Sequence, residues 1–326
     1  MRRLPLIYLL SACLFATILT GVSQPEDEPA IVSLMIDADV LAAPTEEEVD
    51  IAQANLANVY RQIKKKDLTA TLFLTQDISN GARLQLAQFP LFSTIEFALS
   101  GKTIDDELSS MNYSEQVRRL ELSKIAAEAT SICDVTEVEV KGFMPPSFDQ
   151  NEDTFKALDD IGIEYNAGFQ EGVIYATGHE GDIWPYQVDG HNFYAVPIST
   201  VEVSGELVPL YDRYMYELGL SSTEWYEMLV DQLDESAANG EPMVVLLTIS
   251  VSGTDGYLDT LEQFLDYAES KNAIFVNGGD LVTIAKTGEL TLSEGRQYQC
   301  TTCGQDGSSD ISITRVDEPE QSEVAE

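Results

Sequence analysis

Ile31-Val-Ser-Leu-Met-Ile-Asp37-Ala-Asp39-Val40 and, one helix later, Ala70-Thr-Leu-Phe-Leu-Thr75 decide how this chain folds. Both stretches are apolar on alternate and intervening positions alike, as in a strand buried on its two faces. Between them Leu56, Val59, Tyr60 and Ile63 fall at helical spacing, followed by Lys64-Lys-Lys66. The same alternation continues outward. Ile95 to Leu99 predicts a third strand, Tyr113 to Thr130 a long helix, and Val138 to Phe143 a further strand. Asn151 caps a helix carrying Phe155 and Leu158, and Gly162 stops it before Ile163-Glu-Tyr165 opens the next strand. Ser221 and Glu224 form a capping box ahead of Trp225, Met228, Leu229 and Leu233. Val244 to Ile249 is a buried strand, Leu258, Leu261, Leu265 and Ala268 mark a last long helix, and Ala273 to Val276 is the closing strand. Repeated strand–helix units with apolar strands require a parallel sheet covered by helices. About seven units over roughly 250 residues fit a barrel better than an open sheet. The expectation is an α/β fold, an irregular (β/α)7-type barrel.

The chain has 326 residues, 44% of them hydrophobic, enough for a full core. Its formal charge of −38 repels phosphate backbones and anionic headgroups, so nucleic acid is not an expected partner. The acids are spread along the chain and read first as a hydrated surface; a role in binding cations or a basic partner is the other reading.

Residues 1–23 read as an export signal or a membrane anchor: Arg2 and Arg3, then an uncharged run from Leu4 to Val22. Leu10-Ser-Ala-Cys13 also has the form of a lipobox, though apolar residues continue after it. Each alternative puts the body outside the cytoplasm, secreted or held at the cell surface, with the membrane touched through this segment alone. Residues 24–30 form a Pro-bounded linker, 31–288 the barrel domain, and 289–326 an extension holding Cys300-Thr-Thr-Cys303 and an acidic tail expected to be disordered. One C-x-x-C supplies two ligands where a structural zinc wants four, so Cys300 and Cys303 read as a local disulfide. Cys133 reads as a buried thiol.

Order and spacing carry a resemblance. Met35-Ile-Asp37-Ala38 stands where the polysaccharide deacetylase (NodB-homology) family has T-F-D-D. Val59 to Leu74 resembles that family's helix and "ATFF" strand. Gly142-Phe-Met-Pro-Pro146, Asn151-Glu-Asp-Thr-Phe-Lys-Ala-Leu158 and Gly162-Ile-Glu-Tyr165 resemble its "FRPP…N..T…L…G" segment. Asp182-Ile-Trp184-Pro185 resembles its D-x-W-P turn, and Phe264 to Ile284 its final helix and strand. The resemblance implies a barrel of the glycoside hydrolase/deacetylase kind acting on acetylated polysaccharide. It also implies a divalent metal held by one Asp and two His, an Asp base and a late His acid.

Carried across, Asp37 takes the base position and Ala38 the metal-binding Asp position. Asp39 follows, able to substitute only if the strand end departs from regular alternation. Ser100 and Ile104 lie nearest the places of the two metal histidines, Met144 replaces the pocket Arg, and the strand Val244 to Ser250 lacks the late His. The chain has only two histidines, His179 and His191, both in turn-like segments and expected to be exposed. The pocket implied by the resemblance is Asp37 with Asp39, Ser100, Met144, Pro145, Asp182 and Trp184. No metal or other cofactor is expected; the alternative is a divalent cation on Asp37 and Asp39, with Asp182 as a third ligand. The two buried acids read either as the wall of a polar cleft or as hydrogen-bonded structural groups. Trp184, Tyr186, Phe193 and Tyr194 read as core packing or, if exposed, as sugar platforms. The expected function is a deacetylase-like domain without the usual metal-dependent activity, meeting glycan or cell-envelope polysaccharide. The alternative is an active acetyl hydrolase with a carboxylate site.

Overall fold

Thr45 starts the first helix by accepting the amide of Glu48, whose carboxylate reaches back to the Thr45 amide. This is a reciprocal cap. Three glutamates in the first turn and Lys64 and Lys65 in the last complement the helix dipole, and Ala52, Leu56, Val59 and Ile63 form the buried stripe of Glu46–Lys65. That helix joins two strands of the main sheet, Ile31–Ala38 (β1) and Thr69–Leu74 (β2). The computed structural model describes residues 29–39, 45–86, 94–130, 139–291, 297–300 and 313–316. The signal-like segment, most of the linker, Cys133, Cys303 and the acidic tail lie outside the described residues.

The sheet continues with Thr94–Leu99 (β3), Gly142–Phe143 (β4), Tyr165–Gln170 (β5), Tyr186–Gln187 (β6) and Tyr194–Ile198 (β7). A hairpin, Thr200–Val203 (β8) and Glu206–Pro209 (β9), precedes Pro242–Thr248 (β10) and Ile274–Val276 (β11). The order is β10-β1-β2-β3-β4-β5-β7-β6, parallel from β10 to β7, with β6 antiparallel at the edge. β11 pairs Ile31–Ser33 of β1, where β2, which pairs Met35–Ala38, has not yet begun. Among the described residues no ladder joins β7 to β10. The gap is crossed by Ser199 donating its amide to Val244 O (3.0 Å) and by the Leu246 amide donating to Leu210 O (3.0 Å). The fold is thus the expected α/β arrangement, a barrel-like parallel sheet wrapped by helices.

Strand alternation separates two cores. Val32, Leu34, Ile36 and Ala38 face the helices. Helix Ser222–Asn239 lays Trp225, Leu229 and Leu233 on that side, next to Leu261, Phe264 and Leu265 of helix Asp255–Ser270. Ile31, Met35, Phe73, Ala98, Met144, Tyr165, Ala167, Val196, Val244 and Leu246 fill the interior. Each such side chain contributes about 1.5–3 kcal/mol on full burial. Helix Gly278–Thr287 plugs the N-terminal end with Leu281, Val282 and Ile284. β4 is short because Pro145 and Pro146 follow it and lack an amide to donate. A small antiparallel sheet, Glu289–Thr291, Gln297–Cys300 and Ile313–Val316, lies at the C-terminal side of the sequence. Cys300 ends its middle strand.

Candidate functional site

Odd-numbered residues of β1 face inward, so the acids at its end belong to the barrel mouth. Asp37 pairs in register with Phe73 on one side and Thr248 on the other. Its side chain is buried and Oδ1 has no hydrogen-bond partner. Asp39 lies just past the strand and points the same way as Asp37, two residues on. It accepts the Ser250 amide at 3.0 Å and is ion-paired with Arg213. The Arg213 Nη2 also donates to the Ser250 hydroxyl at 3.2 Å. Ala38 faces the outer core, so the position that the resemblance gives to a metal ligand points away from the mouth.

Arg213 is delivered by a short helix, Asp212–Glu217, that follows the β8–β9 hairpin. Asp212 fixes that helix. Its carboxylate accepts the Thr248 amide and hydroxyl and the Ser252 amide and hydroxyl, at 2.7–3.2 Å. The strand end and the turn Ile249–Ser252 are thereby held by one buried acid. Tyr211, which packs edge-on to Phe148 with ring centroids 6.1 Å apart, completes this wall.

Burial, then the charge of Asp39, pushes the Asp37 carboxyl up to about 7; Arg213 opposes the rise and Asp212 adds to it. Burial pushes Asp212 to about 7 as well, against the hydrogen bonds from Ser252 and Thr248. Tyr211 is held well above its ordinary value, first by burial and then by the Asp37 charge. A carboxyl that titrates near neutrality with a free oxygen can take up or release a proton at a bound ligand.

The remaining predicted residues divide. Ser100 follows β3 at the mouth, 1% exposed, and its Oγ is a second buried atom without a partner. Met144 lies beside it, its amide on Leu99 O at 3.0 Å, and its thioether joins the interior core. Pro145 is buried against Gly168, where an added Cβ would come within 2.5 Å of its ring. Trp184 is half-buried against the interior core. Asp182 does not join the acids: it is exposed, pairs with His179 Nδ1 at 2.6 Å, and is not among the charges acting on Asp37.

His191 corrects the expectation of an exposed turn residue. Its turn is real, with Gly190 at φ +81°, but the ring is buried against Phe155 and Phe193 and its Nδ1 meets Asp159 Oδ2 at 2.7 Å. His179 stacks on Tyr186 at 4.0 Å. Tyr186 and Phe193 are themselves buried, so packing, not sugar stacking, explains them. Tyr194 is half-buried, with Lys286 Nζ 4.1 Å from its ring centroid.

The donor set does not fit a transition-metal site. Among the described residues no group of three or more His, Cys, Asp and Glu converges to hold an ion. The Asp39 oxygens are taken by Arg213 and Ser250, those of Asp212 by Thr248 and Ser252, and the two histidines lie elsewhere, His179 on Tyr186 and His191 against Asp159. Sequence reading missed Tyr211, Asp212 and Arg213, whose one signal is a charged pair closing the apolar run Val208-Pro-Leu-Tyr211.

A half-buried carboxyl lies toward the other end of the barrel. Glu96 accepts from Tyr165 Oη (2.9 Å), Thr71 Oγ1 (3.2 Å) and the Gly279 amide (3.2 Å), capping helix Gly278–Thr287 from inside. Burial raises it to about 6. Its hydrogen bonds account for it as a structural group.

No family model and no curated protein matches this sequence. Solved structures do. A putative polysaccharide deacetylase from Mycobacterium smegmatis superposes with a TM-score of 0.61 at 16% identity, over 80% of this chain and 91% of that one. PuuE allantoinase gives 0.62 at 12% identity, over 80% and 91%. A CE4 family pseudoenzyme from Bacillus anthracis gives 0.50 at 13% identity, over 78% and 66%, and one mutant of it is described as having restored enzymatic activity. The fold is therefore that of the polysaccharide deacetylases and the allantoinase.

Proposed function

We propose that this protein is an exported domain of deacetylase fold that has lost metal-dependent deacetylation and engages carbohydrate at the cell envelope. One observation carries the reading: the Asp39 carboxylate at the barrel mouth is committed to Arg213 and the Ser250 amide, while both histidines are engaged elsewhere, His179 with Asp182 and His191 with Asp159. A metal at Asp39 would have to compete with the guanidinium charge and the amide that already hold its two oxygens. The pseudoenzyme of the same fold supports the reading, because this scaffold is known there in an inactive form. Arg2, Arg3 and the uncharged run after them support export.

The ligand follows from what the mouth offers. Asp37 Oδ1 and Ser100 Oγ are buried hydrogen-bonding atoms without protein partners, and Phe148, Trp184 and Tyr211 add aromatic surface beside the interior core. Polar atoms flanked by aromatic faces match the hydroxyl and C–H faces of a sugar. The test is titration calorimetry with acetylated and deacetylated chito-oligosaccharides and with peptidoglycan fragments. Saturable binding weakened by Ser100→Ala and Tyr211→Ala is expected. Absence of binding to every glycan tried would refute the carbohydrate role.

The second reading, a hydrolase working through Asp37, rests on that carboxyl titrating near 7 with one oxygen free. It predicts hydrolysis of aryl acetates that chelator leaves intact and Asp37→Asn removes. Equal rates in wild type, variant and blank would dismiss it.

A further inference from the structure

Two acids and one base meet at the mouth, with a third acid, Asp212, behind them on Thr248 and Ser252. Asp37, Asp39 and Asp212 are all at least nine-tenths buried, and Arg213 is the cation that acts on Asp37. Buried carboxylates need a positive partner or a proton. A hard cation, held by one or two carboxylates and its own waters, is one way to supply that charge. Here the charge comes from the chain itself.

Three features make Arg213 a fixed substitute instead of a surface ion pair. Its root is immobilised, because Asp212, the preceding residue, is tied to Thr248 and Ser252. Its guanidinium bridges two elements, Asp39 after β1 and the Ser250 hydroxyl after β10. Its side chain is only 28% exposed, so most of it is enclosed. Meanwhile Asp37 Oδ1, on the same strand end, is buried with no hydrogen-bond partner. An unpartnered carboxyl oxygen beside an occupied carboxylate is half of a cation site whose other half is filled.

We propose that the Arg213 guanidinium is a tethered cation standing in for a divalent metal ion at the barrel mouth, and that it holds Asp37 and Asp39 closed to free divalent cations. The inference rests on the reading of a metal-free site given above. Removing the guanidinium exposes two carboxylates on one face of one strand end, with the Ser250 hydroxyl beside Asp39. That set suits a hard, oxygen-loving ion such as Mn²⁺ or Mg²⁺ and not one that wants imidazole.

The experiment is Mn²⁺ titration, followed by electron paramagnetic resonance, of the purified protein as wild type, Arg213→Gln, Asp37→Asn and Arg213→Gln/Asp37→Asn. Non-specific binding to the acidic surface is common to all four and cancels. The expected result is a site in Arg213→Gln at least tenfold tighter than any in wild type, and lost again in the double variant. A folded Arg213→Gln with wild-type Mn²⁺ binding overturns this inference and leaves the proposed function standing. A wild-type site that Asp37→Asn alone abolishes overturns both. Should Arg213→Gln fail to fold in chelator, millimolar Mn²⁺ or guanidinium ion is expected to restore the wild-type circular dichroism; recovery with neither cation overturns the inference.

Discussion

The Asp212 carboxylate accepts the Thr248 amide on both of its oxygens, at 2.9 Å each, and so ties the start of a short helix to the end of a strand 36 residues on. Truncation to Asp212→Ala strands buried donors on Thr248 and Ser252. Each unsatisfied buried donor costs about 1–3 kcal/mol, so a loss of about 3 kcal/mol is expected in urea unfolding. Thr248→Val, which removes one hydroxyl, is expected to cost about 1 kcal/mol. An unchanged midpoint for Asp212→Ala would mean that these ties do not form in solution.

Asp37 gives the protein a pH dependence of definite sign. Its carboxyl is raised from 3.8 to about 7 in the folded state, so the fold holds a proton that the unfolded chain releases. The associated stability is complete below the ordinary value and is lost as pH rises through the folded one. Asp37→Asn carries no such dependence. Melting curves are expected to show the variant gaining on wild type from pH 5 to pH 8, by about 2 kcal/mol. A difference independent of pH would show that Asp37 is not held protonated.

Gly142 has no room for a side chain. An added Cβ would lie 2.1 Å from Tyr165 Cζ, inside the barrel. Gly142→Ala is expected to destabilise by about 1–3 kcal/mol through overpacking. In a Tyr165→Leu background the same change is expected to cost much less, because the ring it strikes is gone. Additive losses would place the strain elsewhere.

Asp159 is the partner of His191, accepting from its neighbour Asn192 as well, at 2.8 Å. Asp159→Ala is expected to cost about 2 kcal/mol, the scale of breaking a buried charged hydrogen bond, without altering glycan binding. Weakened binding at equal stability would give the histidine a role at the mouth.

The order of strands and helices was legible because it rests on local physics: apolar runs for β1 and β10, helix caps at Asn151 and Ser221. The acids at the end of β1 could be seen for the same reason, since a carboxylate closing a buried strand stands out. What they touch could not. Arg213 reaches Asp39 from 174 residues away, carried by a hairpin whose Ser204 and Gly205 both take positive φ. His191 was misread because its turn composition is correct but its ring folds back onto Asp159 and Phe155, a tertiary choice that no local pattern encodes.

The most direct test of the whole account is metal content and acetate release measured on one preparation, purified without chelator and supplied with Zn²⁺, Co²⁺ or Mn²⁺ over acetylated chito-oligosaccharide. The account predicts no stoichiometric metal and no acetate above the blank. One tightly held transition metal per chain, with acetate release that Asp37→Asn abolishes, would contradict it.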